Sequence, residues 1–411
     1  MIASTISIFE QASRVFPVEH DPDTGARLLY ANPLNPSSLP GATGTGLWST
    51  PYHQNTCFTS DRTRILLRYS EPPSGANPTG IHTNVLLNLI TGQIEPFNFT
   101  GHVYELSPRH PIAVTFEHRE PAIPAVTLRD IDANRPLASF SLPGWNLWAA
   151  HLLADGQRAL IGHYQGTYYH ERCHSRFDLL NPDGTTEQVL DVDGCFCNHI
   201  QGCPADPDLY SYNRWPTPPS RREVVNHIRD VRGTFDIELP QRPGTVRPGP
   251  LWGGQRDHYL WTPDGNRIAS YFSPVTTTSR DHFDFGWWVS ALDWRTGEDF
   301  AAPYPPDRWT GHFGVSPDSR FLFACGRKSF PFCYTIDIQE LRNGWNERII
   351  CTCPPSEVSR ENHGPFHMPF FLPDQSGVVF TAGWPGSRKG IYLVELPADL
   401  RPRTSTEGTA S

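Results

Sequence analysis

Residues Leu260–Phe272 read LWTPDGNRIASYF, and this stretch decides the fold. Pro263-Asp264-Gly265 carries tight-turn chemistry: proline presets φ, aspartate hydrogen-bonds the backbone ahead of it, and glycine tolerates left-handed geometry. The run that follows is apolar and aromatic, as a strand packed on both faces should be. The stretch therefore reads as strand, tight turn, strand.

The same unit recurs along the chain. Its other copies are CFTSDRTRILLR from Cys57, ELSPRHPIAVTF from Glu105, LLADGQRALIGHY from Leu152, GCPADPDLYSY from Gly202, GVSPDSRFLFAC from Gly314 and FLPDQSGVVFTA from Phe371. Copies about 45–60 residues apart match the spacing of propeller blades. A second hairpin follows most of them: VLLNLITGQIEPF from Val85, FDLLNPDGTTEQVL from Phe177, VSALDWRTGEDF from Val289 and YTIDIQELRNGWNERII from Tyr334. Their T-G, P-D-G and N-G turns are good hairpin formers. Two hairpins make a four-stranded blade, which buries both faces only by stacking against neighbours around an axis. The expected fold is an all-β, seven-bladed β-propeller with four-stranded antiparallel blades.

One domain is expected over residues 1–400, followed by a polar, disordered tail at 401–411. The segment DPDTGARLLY from Asp21 resembles an outer hairpin and is expected to complete the last blade. Residues 213–256 are out of scale and rich in Pro and Arg. They are read partly as outer strands of blade four (GTFDIEL) and partly as a loop overhanging the channel.

Composition agrees. The 411 residues include 12% aromatics, 33 Gly and 41 Pro, which suits many short strands and turns. A net charge of −9 argues against a nucleic-acid or anionic-membrane surface, though not against a locally basic pocket for an acidic substrate. No stretch is apolar enough to span a bilayer. No signal peptide is read in MIASTISIFEQASRVFP, so a cytoplasmic location is expected, or secretion if an export signal has been trimmed. Nine cysteines is an odd count, and the pairs Cys195/Cys197 and Cys351/Cys353 are not the C-x-x-C of zinc or redox sites. They are read as free thiols of an intracellular protein.

A histidine precedes every turn unit: His53, His102, His151, His199, His258, His312 and His367. On the innermost strands these would ring one end of the channel. A lone histidine there is usually a packing residue, and His102 and His151 are read so. Seven in register point instead to metal ligation or general base chemistry near neutral pH. The densest cluster is N-H-G-P-F-H, Asn362 to His367, with His312 one blade earlier. Three such ligands with an open position suit a catalytic divalent ion.

These residues resemble the oligogalacturonate lyases. The resemblance runs through DPDTGARL, CFTSD, DHYLWTPDG around His258, GHFGVSPD around His312, HMPFFLPD, GVVFT and IYLVEL. It implies a seven-bladed propeller that cleaves short uronate oligomers by β-elimination with bound manganese. By motif, His258 matches the family's catalytic histidine in a T-H-E-F-W-type motif. His312 matches a metal histidine in S-H-L-M-S, and His367 the last of Q-x-x-H-P-H. The chain departs from that last motif: Pro365 replaces a histidine, Asn362 stands for Gln, and His363 has no counterpart. The metal set implied is His312, His363, His367 and Asn362, holding a divalent ion, with Mn2+ the expected one. The family's arginine is sought at Arg229 or Arg232. Substrate contacts are expected from His53, His199, Tyr259 and Arg256.

The chemistry suits these residue types. A metal or an arginine neutralises the uronate carboxylate, and a neutral His258 removes the α-proton. Tyr52 or Tyr259 would protonate the leaving oxygen. The partner expected is an acidic oligosaccharide, with the chain a monomer or homodimer. Alternatives are a lyase for another uronate linkage, such as rhamnosyl-α-1,4-glucuronate, and a non-catalytic propeller scaffold. A glycoside hydrolase needs two carboxylates, and Asp257 finds no second.

Overall fold

The computed structural model describes residues 6–32, 39, 46–52, 54–71, 81–97, 101–119, 123–166, 173–216, 225–239, 253–275, 288–305, 308, 312–326, 331–352, 368–383 and 389–402. They form seven antiparallel sheets, six of four strands and one of five, the blades of a β-propeller. The first strands of the blades are Leu47–Ser49, Gly101–Leu106, Asn146–Leu152, Cys195–Gly202, Gly253–Trp261, Phe313–Val315 and Phe370–Phe371. From blade two to blade seven they meet from one blade to the next around the channel.

Each first strand turns back through the repeat. The amide two residues beyond the turn carboxylate donates to its Oδ1: Thr63 to Asp61, Gln157 to Asp155, Asp208 to Asp206, Asn266 to Asp264, Arg320 to Asp318 and Ser376 to Asp374, at 2.9–3.1 Å. Blade two has Arg109 at the carboxylate position. There the Ser107 Oγ accepts the amides of Arg109 and His110 instead, at 3.2 and 3.1 Å.

Aromatic side chains fill the wedges between blades. Phe177 of blade three meets Tyr212 of blade four edge-on at 5.5 Å. Tyr271 and Phe313 join blades five and six at 4.8 Å. The expected hairpin from Tyr334 is modified. A 3-10 helix, Gln339–Asn343, replaces the tight N-G turn and buries Leu341 between blades five and six.

The chain ends meet in blade seven. Arg27–Tyr30 pairs with Lys389–Glu395, matching Leu29 to Leu393, and Val18–His20 adds a fifth strand. The short helix Ile8–Ala12 is anchored by its first amides: Ile8 donates to Asp374 Oδ2 at 2.7 Å and Phe9 to Ser376 Oγ at 3.1 Å. Arg27 bridges Glu10 and Glu395 at 2.7 and 3.0 Å. Arg401 is also tied down, to Glu395 at 2.6 Å, and the remainder of the expected tail, 403–411, lies outside the described residues. In blade four GTFDIEL contributes the outer strand Asp236–Glu238, while 217–224 and 240–252 lie outside the description.

The free-thiol expectation needs correction at one place. Cys325 and Cys333 face each other across adjacent strands of blade six and form a disulfide. Cys57, Cys173, Cys195, Cys197 and Cys203 are free and buried, Cys351 is buried, and Cys353 lies outside the described residues. Among the described residues no helix is long and apolar enough to cross a membrane.

Two predictions follow from this packing. Leu29 is fully buried at the seam between the chain ends. Leu29→Ala should destabilise the protein by about 2–5 kcal/mol, as for other buried leucines, read by urea unfolding. His163, buried in blade three, has its pKa pushed down to about 4 by burial and by the Arg176 guanidinium. Asp178 lies 3.7 Å from its Nε2 but is already held by Arg176 at 2.6 Å. The unfolded chain takes up this proton near pH 6.5, whereas the native chain resists it until about pH 4. Stability should therefore be unaffected by this group above pH 6.5 and fall as pH drops towards 4, by on the order of 3 kcal/mol. His163→Gln should remove that slope in Tm against pH.

Candidate active site in the channel

Each turn begins at a residue whose amide closes it: Cys203 in blade four, Thr262 in blade five and Ser316 in blade six. His199, His258 and His312 each stand four residues earlier (203 − 199, 262 − 258 and 316 − 312). Three adjacent blades thus place an imidazole at one height in the channel. The rings of His199 and His258 lie 5.9 Å apart, and those of His258 and His312 lie 4.7 Å apart. Tyr52, from the blade-one segment, meets the His312 ring edge-on at 5.4 Å.

The backbone bends to present them. His199 and His258 have φ of 48° and 46°, in the left-handed region that L-residues seldom occupy. Both sit in irregularities of strand pairing, between Asn198 and Gln201 and between Asp257 and Leu260. Such bulges turn a side chain out of its alternation. His312 lies just before the three-residue strand Phe313–Val315, where regular pairing has not yet begun.

A polar relay orients His199. Asn226 Nδ2 donates to Asn213 Oδ1 at 2.5 Å, so the Asn213 NH2 faces His199 Nδ1, 2.9 Å away. Nδ1 is therefore the acceptor, and the ring proton of neutral His199 resides on Nε2. The Trp215 indole donates to Asn198 Oδ1 at 2.7 Å and braces the same bulge. Nothing in the sequence singled out these asparagines, because their role depends on which strands become neighbours.

Below the cluster the channel is closed. Gln54 Nε2 reaches from blade one to the Tyr259 carbonyl of blade five at 3.1 Å, and Gln201 Nε2 donates to the same oxygen at 2.8 Å. Buried Glu105 accepts the amides of Thr56 and Leu152 at 3.0 and 2.6 Å, joining blades one, two and three. His151 is buried against it, Nδ1 3.4 Å from its carboxylate.

Several expected site residues are placed elsewhere. Tyr259 is fully buried, with its hydroxyl donating to the His199 carbonyl at 2.5 Å. It clamps blade five to blade four. Arg229 and Arg232 are not brought to His258. Arg229 is on Val225–Asp230, the third strand of blade four, and pairs with Asp236 at 2.7 Å. Arg232 is in the turn beyond, 3.8 Å from Asp208. Two strand spacings, each about 4.8 Å, separate that third strand from the inner strand of its blade. Arg256 lies on Gly253–Trp261, its backbone opposite Phe272.

His53, Asn362, His363 and His367 lie outside the described residues. Of the expected metal set, His312 alone is described, and its imidazole is a donor suited to a divalent transition metal. Among the described residues no group of three His, Cys, Asp or Glu forms a metal-sized cluster.

No protein-family model matches the chain, and no curated protein matches its sequence. Solved structures do match. A structure of oligogalacturonate lyase in complex with manganese superposes with a TM-score of 0.71 at 15% identity, covering 94% of this chain and 97% of that one. A second oligogalacturonate lyase structure, from Vibrio parahaemolyticus, gives 0.69 at 14% identity over 94% and 98%. The β-propeller domain of the trilobed protease from Pyrococcus furiosus gives 0.50 at 11% identity over 85% and 93%. The fold of this chain is that of the oligogalacturonate lyase structures.

Proposed function

We propose that the chain is a lyase that cleaves a 4-linked uronate oligosaccharide by β-elimination, with His258 as the base. The observation that carries this reading is the shared register of His199, His258 and His312 above a closed channel. The fold shared with the oligogalacturonate lyase structures supports it.

His258 is half-buried and stands between the imidazoles of His199 and His312. Neutral His258 takes the proton α to the carboxylate, the C–H pair forms the new double bond, and the 4-linked oxygen leaves. Tyr52 is the proposed donor of the proton that oxygen needs. The Nε2–H of His199 is suited to bond a substrate oxygen. A divalent ion, held by His312 with His363, His367 and Asn362, would neutralise the carboxylate. Manganese is the favoured ion because one oligogalacturonate lyase structure of this fold is a manganese complex.

Absorbance near 235 nm tests the reaction on oligogalacturonate and on glucuronate-containing glycans. The expected result is an unsaturated product from at least one of them, and none from any would refute the lyase. His258→Ala should lower kcat by about 10²–10⁴-fold, the usual worth of a general base; full activity would remove it from that role. Chelation should abolish turnover and added Mn2+ restore it. Unchanged activity in chelator would eliminate the metal and leave His258 in place.

A further inference from the structure

Across the channel from the histidines, blades one and two enclose a cavity of about 450 Å³. It is lined by Arg68 and Thr83 with Asn84, His102, Tyr104 and Phe116. His102 and Tyr104 flank Val103, which stands four residues before Ser107, the residue whose amide closes the blade-two turn. Val103 therefore holds in blade two the place that the three histidines hold in blades four to six.

Arg68 is half-buried there, and among the described residues no carboxylate lies within ion-pair distance of it. Burial holds its pKa below the ordinary guanidinium value, and Tyr104 is the ionisable neighbour that bears on it. Carboxylates on the strands of blades one and two are engaged elsewhere. Glu71 accepts from the Tyr69 hydroxyl, Glu105 holds two backbone amides, and Glu117 pairs with Arg129 at 2.7 Å. A guanidinium stays charged under all ordinary conditions, so an unpaired one is costly to bury. Asn84 adds donors to the same wall: its Oδ1 accepts the Val103 amide at 2.9 Å, which fixes its NH2 as the other face of the amide. Tyr104 and Phe116 stack at 4.7 Å and supply an aromatic wall.

We propose that the cavity between blades one and two binds a carboxylate-bearing sugar, with Arg68 taking the carboxylate as a planar fork. The guanidinium matches a carboxylate in charge and shape, Asn84 donates beside it, and the aromatic wall packs against a sugar ring. The volume lies within the roughly 300–1,000 Å³ of small-molecule sites. In a chain of net charge −9, this is a locally positive place for an acidic ligand. The choice of a uronate as ligand rests on the lyase reading; the site itself does not.

Calorimetric titration of the full chain tests this with D-galacturonate, D-glucuronate, neutral galactose and acetate, none of which has a glycosidic bond to cleave. One or both uronates should bind at least about tenfold more tightly than galactose and acetate. Arg68→Gln should weaken that binding by at least about tenfold, and Arg68→Lys by less, since charge remains without the fork. Neither variant should lower Tm, because the guanidinium has no ion pair to lose; if Arg68→Gln does not fold, Arg68→Lys carries the comparison. Uronate affinity unchanged in both variants overturns the proposal, and so does acetate or galactose binding as tightly as the uronates. Uronate binding lost in Arg68→Gln, with no unsaturated product from any glycan, would retain this site and dismiss the lyase. Turnover with unchanged KM and unchanged uronate binding in Arg68→Gln would do the reverse.

Discussion

Everything at the channel depends on the turn that closes each first strand. In six blades an aspartate at this turn accepts the amide two residues on, and in blade two Ser107 does the same work. The bond sets where the first strand ends. With that end fixed, every residue counted back from it meets the axis at a defined height. Three histidines at the same count in three successive blades must then be neighbours, although 113 positions (312 − 199) separate the first from the last in the chain. Such local turns also form early and cheaply, whereas the pairing of residues 27–30 with 389–395 closes a loop of nearly the whole chain.

Height alone would not expose the imidazoles. Strand alternation sends every second side chain into the wedges between blades, where Phe177, Tyr212, Tyr271 and Phe313 pack. The bulges at His199 and His258 break that alternation, at the cost of left-handed backbone. Sites of this kind store local strain that the surrounding sheet must hold. The relay from Asn226 through Asn213 and the clamp from Tyr259 supply that restraint at blade four. Histidines without such a setting have other roles: His163 is kept neutral within blade three, and His151 packs on Glu105.

The two sides of the ring differ in electrostatics. Blades four to six offer imidazoles, whose ring nitrogens can accept or donate a proton. Blade one offers Arg68, which does not titrate and serves to hold an anion. A closed floor of glutamine and tyrosine separates both from the opposite mouth.

The seven-bladed fold was legible in the sequence because each blade carries its own turn signal and apolar runs, which are local properties. His258 and His312 were legible through motif, and His199 through its place before a turn. The sequence by itself determined the repeat, the turn chemistry and a histidine ahead of each turn. The tertiary structure alone decided that His199, His258 and His312 share one register while His102 and His151 do not, since a shift of one or two residues along a strand changes height and facing together. It also placed Arg229 on the third strand of blade four, Arg232 in the turn beyond and Tyr259 in a buried clamp, because position relative to the axis depends on strand order and burial, neither of which a basic or aromatic residue announces. Arg68 was invisible for the same reason: an arginine in a strand is marked only by the partners it lacks, and those are known only once the blades are packed.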